Sequence, residues 1–210
     1  MLATLLALVS ALAAPPSQAV ERPAITRRFI PLTAQRRADT RAYAKRHYGT
    51  ATSEIARPLT IVEHYTVNDS VDATWRTFAP NVADPELHEL PGTCAQFAIG
   101  RNGRIVQLTP VTFLCRHTVG LNWAAIGIEH VGHSEREVLS NPAQLRASLR
   151  LTRWLRCRYG IPVRDVIGHA ESLSSPYHRE RVPALRTQTH GDWQPWAMRR
   201  YRALVGDAGC

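Results

Sequence analysis

The chain has 210 residues, of which 44% are hydrophobic and 20% are charged, and its net charge at neutral pH is +9. This length accommodates one domain with a substantial core, and the composition is that of an ordinary globular protein rather than a disordered or fibrous one. Lys45 is the only lysine and lies near the N-terminus. A mechanism that needs a lysine in the main domain is therefore excluded.

An apolar run over residues 2–14 is followed by two prolines and by a Ser-Gln-Ala segment that ends at Ala19. A short apolar stretch before a small-x-small site is typical of a secretory signal peptide, and this stretch is too short to span a membrane. We therefore expect residues 1–19 to be a signal peptide and the protein to be secreted or periplasmic. No later stretch is apolar over a length that could cross a bilayer.

Residues 20–57 form a basic N-terminal segment, with nine basic and three acidic side chains between Glu21 and Arg57. Such an excess of positive charge favours a polyanionic partner, although a solvated helix face explains it equally well. Export argues against nucleic acid as that partner. Within the segment, residues 34–47 are predicted to form a short charged helix.

The predicted main domain covers residues 58–210, and in it strands are interspersed with helices. The strands are expected at 59–66, 94–99, 104–108, 124–130 and 163–169, the second and third joined as a hairpin by an Asn-Gly turn. Helices are expected at 72–78, from Asn141 to Gly160, and at 196–205. This alternation predicts a single α/β domain with a mixed central β-sheet flanked by helices.

The chain contains four cysteines, Cys94, Cys115, Cys157 and Cys210. An even number in an exported chain favours disulfide bonds. We expect Cys94–Cys115, because this pair flanks the predicted hairpin, and Cys157–Cys210, which would tie the C-terminus to a helix. Because the chain has no Cys-x-x-Cys pair, a cysteine zinc site is not expected.

Two histidines, His64 and His169, each close a short apolar run, and a later cluster contains His190 and Asp192. Two imidazoles and one carboxylate make a three-ligand zinc site with an open position, which suits hydrolysis. A single histidine at a strand end is more often a satisfied core residue. Two such strand ends, however, make a shared rim at one edge of the sheet the more plausible interpretation.

Glu129 ends the apolar run Ile-Gly-Ile-Glu, on the face opposite its two isoleucines. Burying an acid there is costly unless the carboxylate is paired or has a chemical role. Beside a metal it would accept a proton from water, which is the role of a general base. A salt bridge to one of the many arginines is the alternative.

Residues 121–129, Leu-Asn-Trp-Ala-Ala-Ile-Gly-Ile-Glu, resemble the Leu-Asn-x-x-Ser-Ile-Gly-Ile-Glu signature of zinc-dependent N-acetylmuramoyl-L-alanine amidases. This is the amidase-2 family, which includes the AmpD and peptidoglycan-recognition-protein types. Four other segments match the family's pattern in the family's order: 61–66, 97–108, 115–120 and 166–169. The resemblance runs from about Pro58 to Trp193 and implies the amidase-2 fold.

The resemblance also implies that His64, His169 and Asp192 bind Zn²⁺ and that Glu129 is the catalytic acid. The family's third ligand lies two residues after a catalytic lysine, in a Lys-x-Asp-Pro-Gly segment. The corresponding segment here reads His-Gly-Asp-Trp, so His190 takes the role of the lysine and stabilises the oxyanion as a cation. Because the Pro-Gly is missing, the converse assignment, in which His190 binds the metal, stays open.

The implied reaction is hydrolysis of the amide bond between N-acetylmuramic acid and L-alanine of the stem peptide, in peptidoglycan or a muropeptide. His117 and Asn122 are expected to border the substrate cleft. Some family members use a tyrosine at the position of Ala95, and this chain does not. The alternative function is a recognition domain that binds muropeptide without cutting it; such domains normally lack a ligand residue, whereas all three ligand positions are filled here.

Overall fold

Six short strands form one sheet in a computed structural model that describes residues 20–206. The strands are β1 (Ile25–Arg27), β2 (Thr60–Tyr65), β3 (Phe97–Ile99), β4 (Ile105–Gln107), β5 (Ala125–His130) and β6 (Val166–Gly168). Their order is β1-β4-β3-β5-β2-β6, and every neighbouring pair is parallel except the β3-β4 hairpin. The predicted α/β domain with a mixed sheet is confirmed.

Five helices accompany these strands: α1 (Ala34–Tyr48), α2 (Val71–Phe78), α3 (Glu135–Ser140), α4 (Pro142–Tyr159) and α5 (Pro195–Val205). The first four begin after a residue whose side-chain oxygen accepts a backbone N–H of the first turn, which satisfies a donor that the helix itself leaves free. These capping residues are Thr33, Ser70, Ser134 and Asn141. The helices predicted at 34–47, at 72–78, from Asn141 to Gly160 and at 196–205 are therefore present.

The strand predicted at 163–169 is shorter than expected. Residues Val163–Asp165 form a 3-10 turn, only Val166–Gly168 pair as β6, and His169 begins a second 3-10 turn, His169–Ser174. His169 therefore follows the strand rather than closing it. The strand β1 and the helix α3 were not expected, because elements of three and six residues carry too little periodicity to be detected.

Side chains alternate between the two faces of β2 and β5, the adjacent parallel strands of the sheet. Ile61, Ile126 and Ile128 are fully buried in a core cluster that includes residues of α4 and α5. His64 and Glu129 occupy the other face and are paired in register. The sheet thus separates the helix-covered core from the face that carries the candidate chemistry.

The predicted disulfide Cys94–Cys115 is present, with Cα atoms 5.1 Å apart. The other predicted disulfide includes Cys210, which lies outside the described residues. The predicted signal peptide, residues 1–19, also lies outside them. The basic segment contributes β1, which pairs with β4, and α1, which buries Tyr43 and Ala44. The division of the chain into a signal peptide (1–19), a basic segment (20–57) and a main domain (58–210) stays a prediction. Over residues 20–206, no helix is long and apolar enough to cross a membrane.

Candidate active site

His64, His169 and Asp192 come together at the ends of β2 and β6, with one ligand atom from each within 4.8 Å of the others. The Nδ1 atom of His64 lies 3.2 Å from one oxygen of Asp192, and the Nδ1 atom of His169 lies 3.2 Å from the other. Both imidazoles are buried, and their ring centroids are 4.8 Å apart. One carboxylate thus bridges the two histidines.

The protonation of this group follows from its surroundings. Burial opposes ionisation of Asp192, but the hydrogen bonds from His169 and His64 outweigh it and lower the pKa of the carboxyl. Burial lowers the pKa of His169 to about 4, so its imidazole is neutral near pH 7. An ionised carboxylate and a neutral imidazole are the forms in which these side chains bind metals.

Glu129 lies beside His64 on the adjacent strand and is 8% exposed. Its Oε2 atom has no hydrogen-bond partner among the described residues. The pKa of Glu129 is raised to about 7. Burial is the largest cause; the charge of Asp192 also raises the pKa, and the charge of His64 opposes the shift. A carboxyl group with this pKa can both accept and donate a proton near neutral pH.

His117 lies on the cleft wall and contacts His64, with the His117 Nδ1 and His64 Nε2 atoms 3.1 Å apart. The hydroxyl of Thr118 lies 2.9 Å from the same Nδ1 atom. Burial lowers the pKa of His117 well below its usual value, and the neighbouring imidazoles of His64 and His169 lower it further because they oppose a second positive charge. His117 is therefore neutral and within hydrogen-bond distance of a candidate ligand.

Asn122 lies below the cleft and not on its wall. It is fully buried, its Oδ1 atom accepts the backbone N–H groups of His117 and Thr118, and its Nδ2 atom donates to the Tyr43 hydroxyl. These three bonds hold the amide group beneath the segment that carries His117. The expected contact with substrate is thus replaced by a role in holding that segment.

His190 is close to the metal-binding group without belonging to it. Its ring stacks on His169, with centroids 4.8 Å apart and an interplanar angle of 21°. Its Nε2 atom lies 2.9 Å from an oxygen of Glu86, whose other oxygen accepts a hydrogen bond from Gln188. Glu86 therefore links the loop before β3 to the loop that carries Asp192, across one side of the cleft.

The cleft above these residues has a volume of about 660 Å³. Its walls include several residues that sequence reasoning did not single out: Tyr65, Val67, Phe78, Thr93 and Arg116. Tyr65 directly follows a candidate ligand, and this position was the only signal that could have identified it. Phe78 is the last residue of α2, and Val67, Thr93 and Arg116 lie outside the helices and strands.

The three ligand-type residues fit a zinc ion. Two imidazole nitrogens and one carboxylate oxygen form the donor set that zinc hydrolases use. The Nε2 atom of His169 and the Oε2 atom of Glu129 are buried without a hydrogen-bond partner among the described residues. Such unsatisfied polar atoms are uncommon in folded proteins and are typical of sites that bind a further group.

Comparison with known proteins identifies the family of the chain. The family model for N-acetylmuramoyl-L-alanine amidase (Amidase_2) matches residues 55–205. No curated protein sequence gives a significant match.

Among solved structures, the chain is similar to the endolysin amidase LysCS from Clostridium intestinale, at 22% identity and a TM-score of 0.54 over 88% of this chain and 96% of that one. It is similar also to an AmpD structure, at 20% identity and a TM-score of 0.56 over 90% and 98% of the two chains. A mutant endolysin from Bacillus subtilis matches at 20% identity and a TM-score of 0.52, over 87% and 99%. At these identities the structural matches establish the fold, whereas the family model covers most of the chain. The chain therefore belongs to the amidase-2 family of N-acetylmuramoyl-L-alanine amidases.

Proposed function

We propose that this protein is a zinc-dependent amidase that hydrolyses the bond between N-acetylmuramic acid and the L-alanine of the peptidoglycan stem peptide. The observation that carries the proposal is the convergence of His64, His169 and Asp192 on one point beside the buried carboxyl group of Glu129. Membership of the amidase-2 family supports the substrate class. Peptidoglycan or a muropeptide would occupy the cleft of about 660 Å³.

His64, His169 and Asp192 are the residues that would hold zinc. Zinc bound there supplies a Lewis acid that polarises an amide carbonyl and acidifies water. The remaining chemistry belongs to side chains of the protein. The Nδ1 atoms of the two histidines face the same carboxylate, so the three donors are in place before any ligand arrives.

Glu129 is the proposed general base and then the general acid. Its carboxylate accepts the proton that a water molecule loses as the water oxygen attacks the amide carbon. The same carboxyl group then donates that proton to the nitrogen of the departing L-alanine, which leaves as an amine while the lactyl group of the muramic acid becomes a carboxylic acid. A pKa of about 7 suits both transfers, because neither form of the carboxyl group is strongly disfavoured near neutral pH.

His190 is the proposed cation beside the oxygen that gains negative charge, and His117 is the proposed substrate contact on the opposite wall. His190 stacks on His169 at the rim of the cleft, and Glu86 accepts from its Nε2 atom. A positioned cation stabilises a tetrahedral oxyanion more strongly than it stabilises the planar amide.

The signal peptide expected at residues 1–19 would place this enzyme outside the cytoplasm, where peptidoglycan lies. The alternative, a recognition domain that binds muropeptide without cutting it, is less well supported because the described residues retain three candidate ligands and an unpaired acid.

Digestion of purified peptidoglycan sacculi tests the proposal. Mass spectrometry of the soluble products should show stem peptides with a free N-terminal L-alanine after incubation with the zinc-loaded protein. The matched control is His64→Ala, which should release none. Sacculi that bind the wild-type protein and remain uncut would identify a recognition domain, and cleavage at any other bond would overturn the proposed specificity.

A further inference from the structure

Trp193, the residue after Asp192, has a backbone conformation that its side chain disfavours. Its φ angle is 55°, in the left-handed region that bulky residues rarely adopt, and its side chain is fully buried. A strained conformation persists only where the surrounding structure holds it. The contacts of Trp193 therefore show what holds this part of the chain.

The indole ring packs into the core on the helix side of the sheet. Its centroid lies 5.1 Å from the ring of His130, at the end of β5, and 5.1 Å from that of Tyr201 in α5. The indole Nε1 atom has no hydrogen-bond partner among the described residues. The ring is therefore held by packing and not by a hydrogen bond.

The backbone of Trp193 is pressed against the end of β6. A Cβ atom at Gly168 would collide with the Trp193 carbonyl oxygen and would lie 2.7 Å from the Trp193 Cβ atom. Two residues after Gly168, the backbone N–H of Ala170 donates to the carbonyl oxygen of Asp192, the residue before Trp193, at 3.0 Å. The close approach of Gly168 to Trp193 thus involves the sequence neighbours of His169 and Asp192.

The segment that leads to Asp192 has little regular structure of its own. Between Ser175 and Trp193 the structure contains one three-residue turn, Pro183–Leu185, and no strand or longer helix. The largest fully buried side chain in this stretch is that of Trp193. The position of Asp192 therefore depends on the residue that follows it.

We propose that Trp193 is a positioning residue, which sets the carboxylate of Asp192 against the Nδ1 atoms of His64 and His169. The buried ring fixes the chain on the helix side of the sheet, and the left-handed backbone turns the preceding residue towards the two histidines. This inference rests on the metal site of the proposed function. It predicts that loss of the Trp193 side chain lowers the affinity for zinc more than loss of another buried side chain of the same core does.

Three variants test the inference, with Zn²⁺ alone as the probe and competition against a chromophoric chelator as the measurement. Trp193→Gly removes the ring but accepts the left-handed backbone without strain. Trp193→Phe keeps a smaller aromatic ring at this position and removes an indole N–H that has no hydrogen-bond partner among the described residues. Leu151→Ala is the matched control, because Leu151 is fully buried in the same core cluster and contacts no candidate ligand.

We expect Trp193→Gly to raise the Kd for zinc by about tenfold or more, the range seen when a residue that orients a ligand is lost. Trp193→Phe should restore most of the affinity, and Leu151→Ala should lower the unfolding midpoint without changing the Kd. Equal losses of affinity in Trp193→Gly and Leu151→Ala would overturn the inference, as would an unchanged Kd in Trp193→Gly. A wild-type protein that binds no zinc would overturn the metal site itself, and this inference with it.

Discussion

The Nε2 atom of His64 and the Nδ1 atom of His117 lie 3.1 Å apart, so the candidate ligand on β2 is held from both sides. Its Nδ1 atom faces Asp192, and its Nε2 atom faces the neutral imidazole of His117. A hydrogen bond to the second nitrogen of a metal-binding imidazole fixes its tautomer and orientation. His117 was expected from the sequence to contact substrate, and it thus also contacts His64, a candidate metal ligand.

This contact predicts that His117→Ala will raise the Kd for zinc by about 10- to 100-fold, as for other residues that orient a ligand. Gly127→Ala should have a smaller effect in the same direction, because a Cβ atom there would lie 2.9 Å from the His117 ring and displace it. Chelator competition measures both values. If His117→Ala changes only the KM for peptidoglycan, His117 contacts substrate and does not orient His64.

The third ligand can be assigned by comparing Asp192→Ala with His190→Ala. Asp192 bridges the two Nδ1 atoms, whereas His190 is bonded to Glu86, so we expect only Asp192→Ala to lose zinc. His190→Ala should keep the metal and lower kcat, because it removes the proposed cation. Metal analysis of the two purified proteins gives the answer, and loss of zinc in His190→Ala alone would reverse the assignment.

Glu129→Gln should lower kcat by about 10²- to 10⁴-fold, the usual contribution of a general base, while zinc content and unfolding midpoint stay close to wild type. The amide is nearly the same size as the carboxyl group but cannot accept the proton. Glu137→Gln is the matched control, because Glu137 lies in α3 away from the cleft. Turnover by Glu129→Gln at the wild-type rate would exclude Glu129 as the base.

The buried imidazole of His47 in α1 gives a prediction about stability. Its ring nitrogens lie 2.8 Å from Glu180 and 3.0 Å from Glu89. Burial by itself lowers the pKa of His47, but the hydrogen bonds to Glu180 and Glu89 outweigh it and raise the pKa. The folded state therefore binds the proton more tightly than the unfolded state does.

The resulting stabilisation is fully present below the unfolded pKa of about 6.5 and is lost as the pH rises through the raised folded value. The difference in unfolding free energy between wild type and His47→Gln should thus be larger at about pH 5.5 than at about pH 9. Urea denaturation at the two pH values measures it. A difference that is independent of pH would show that His47 is not charged in the folded protein.

The elements that the sequence predicted well are those with a strong local pattern. The apolar alternation of β2 and β5 and the capped, periodic α4 are determined by residues close together in the chain. Because side chains alternate along a strand, the sequence also placed His64 and Glu129 at the end of an apolar run, away from the isoleucines. Their pairing in register then follows once β2 and β5 are neighbours.

The tertiary structure decided what depends on contacts between distant segments. Asp192 and His190 differ by two positions in a loop, and only the contacts of the Asp192 carboxylate in the folded chain show which of them faces His64 and His169. From the sequence, Asn122 was expected to border the cleft. In the structure its side chain donates a hydrogen bond to Tyr43 of the basic segment.

The amino-acid sequence by itself determined the class of fold, the family pattern and two of the three candidate ligands, because these follow from local periodicity and short motifs. The fold alone decided which of Asp192 and His190 faces the two histidines, the contact of His117 with His64 and the link from Glu86 to His190. Hydrogen bonds and packing act over a few ångströms in space, and the residues that make these contacts are separated by tens of positions in the chain.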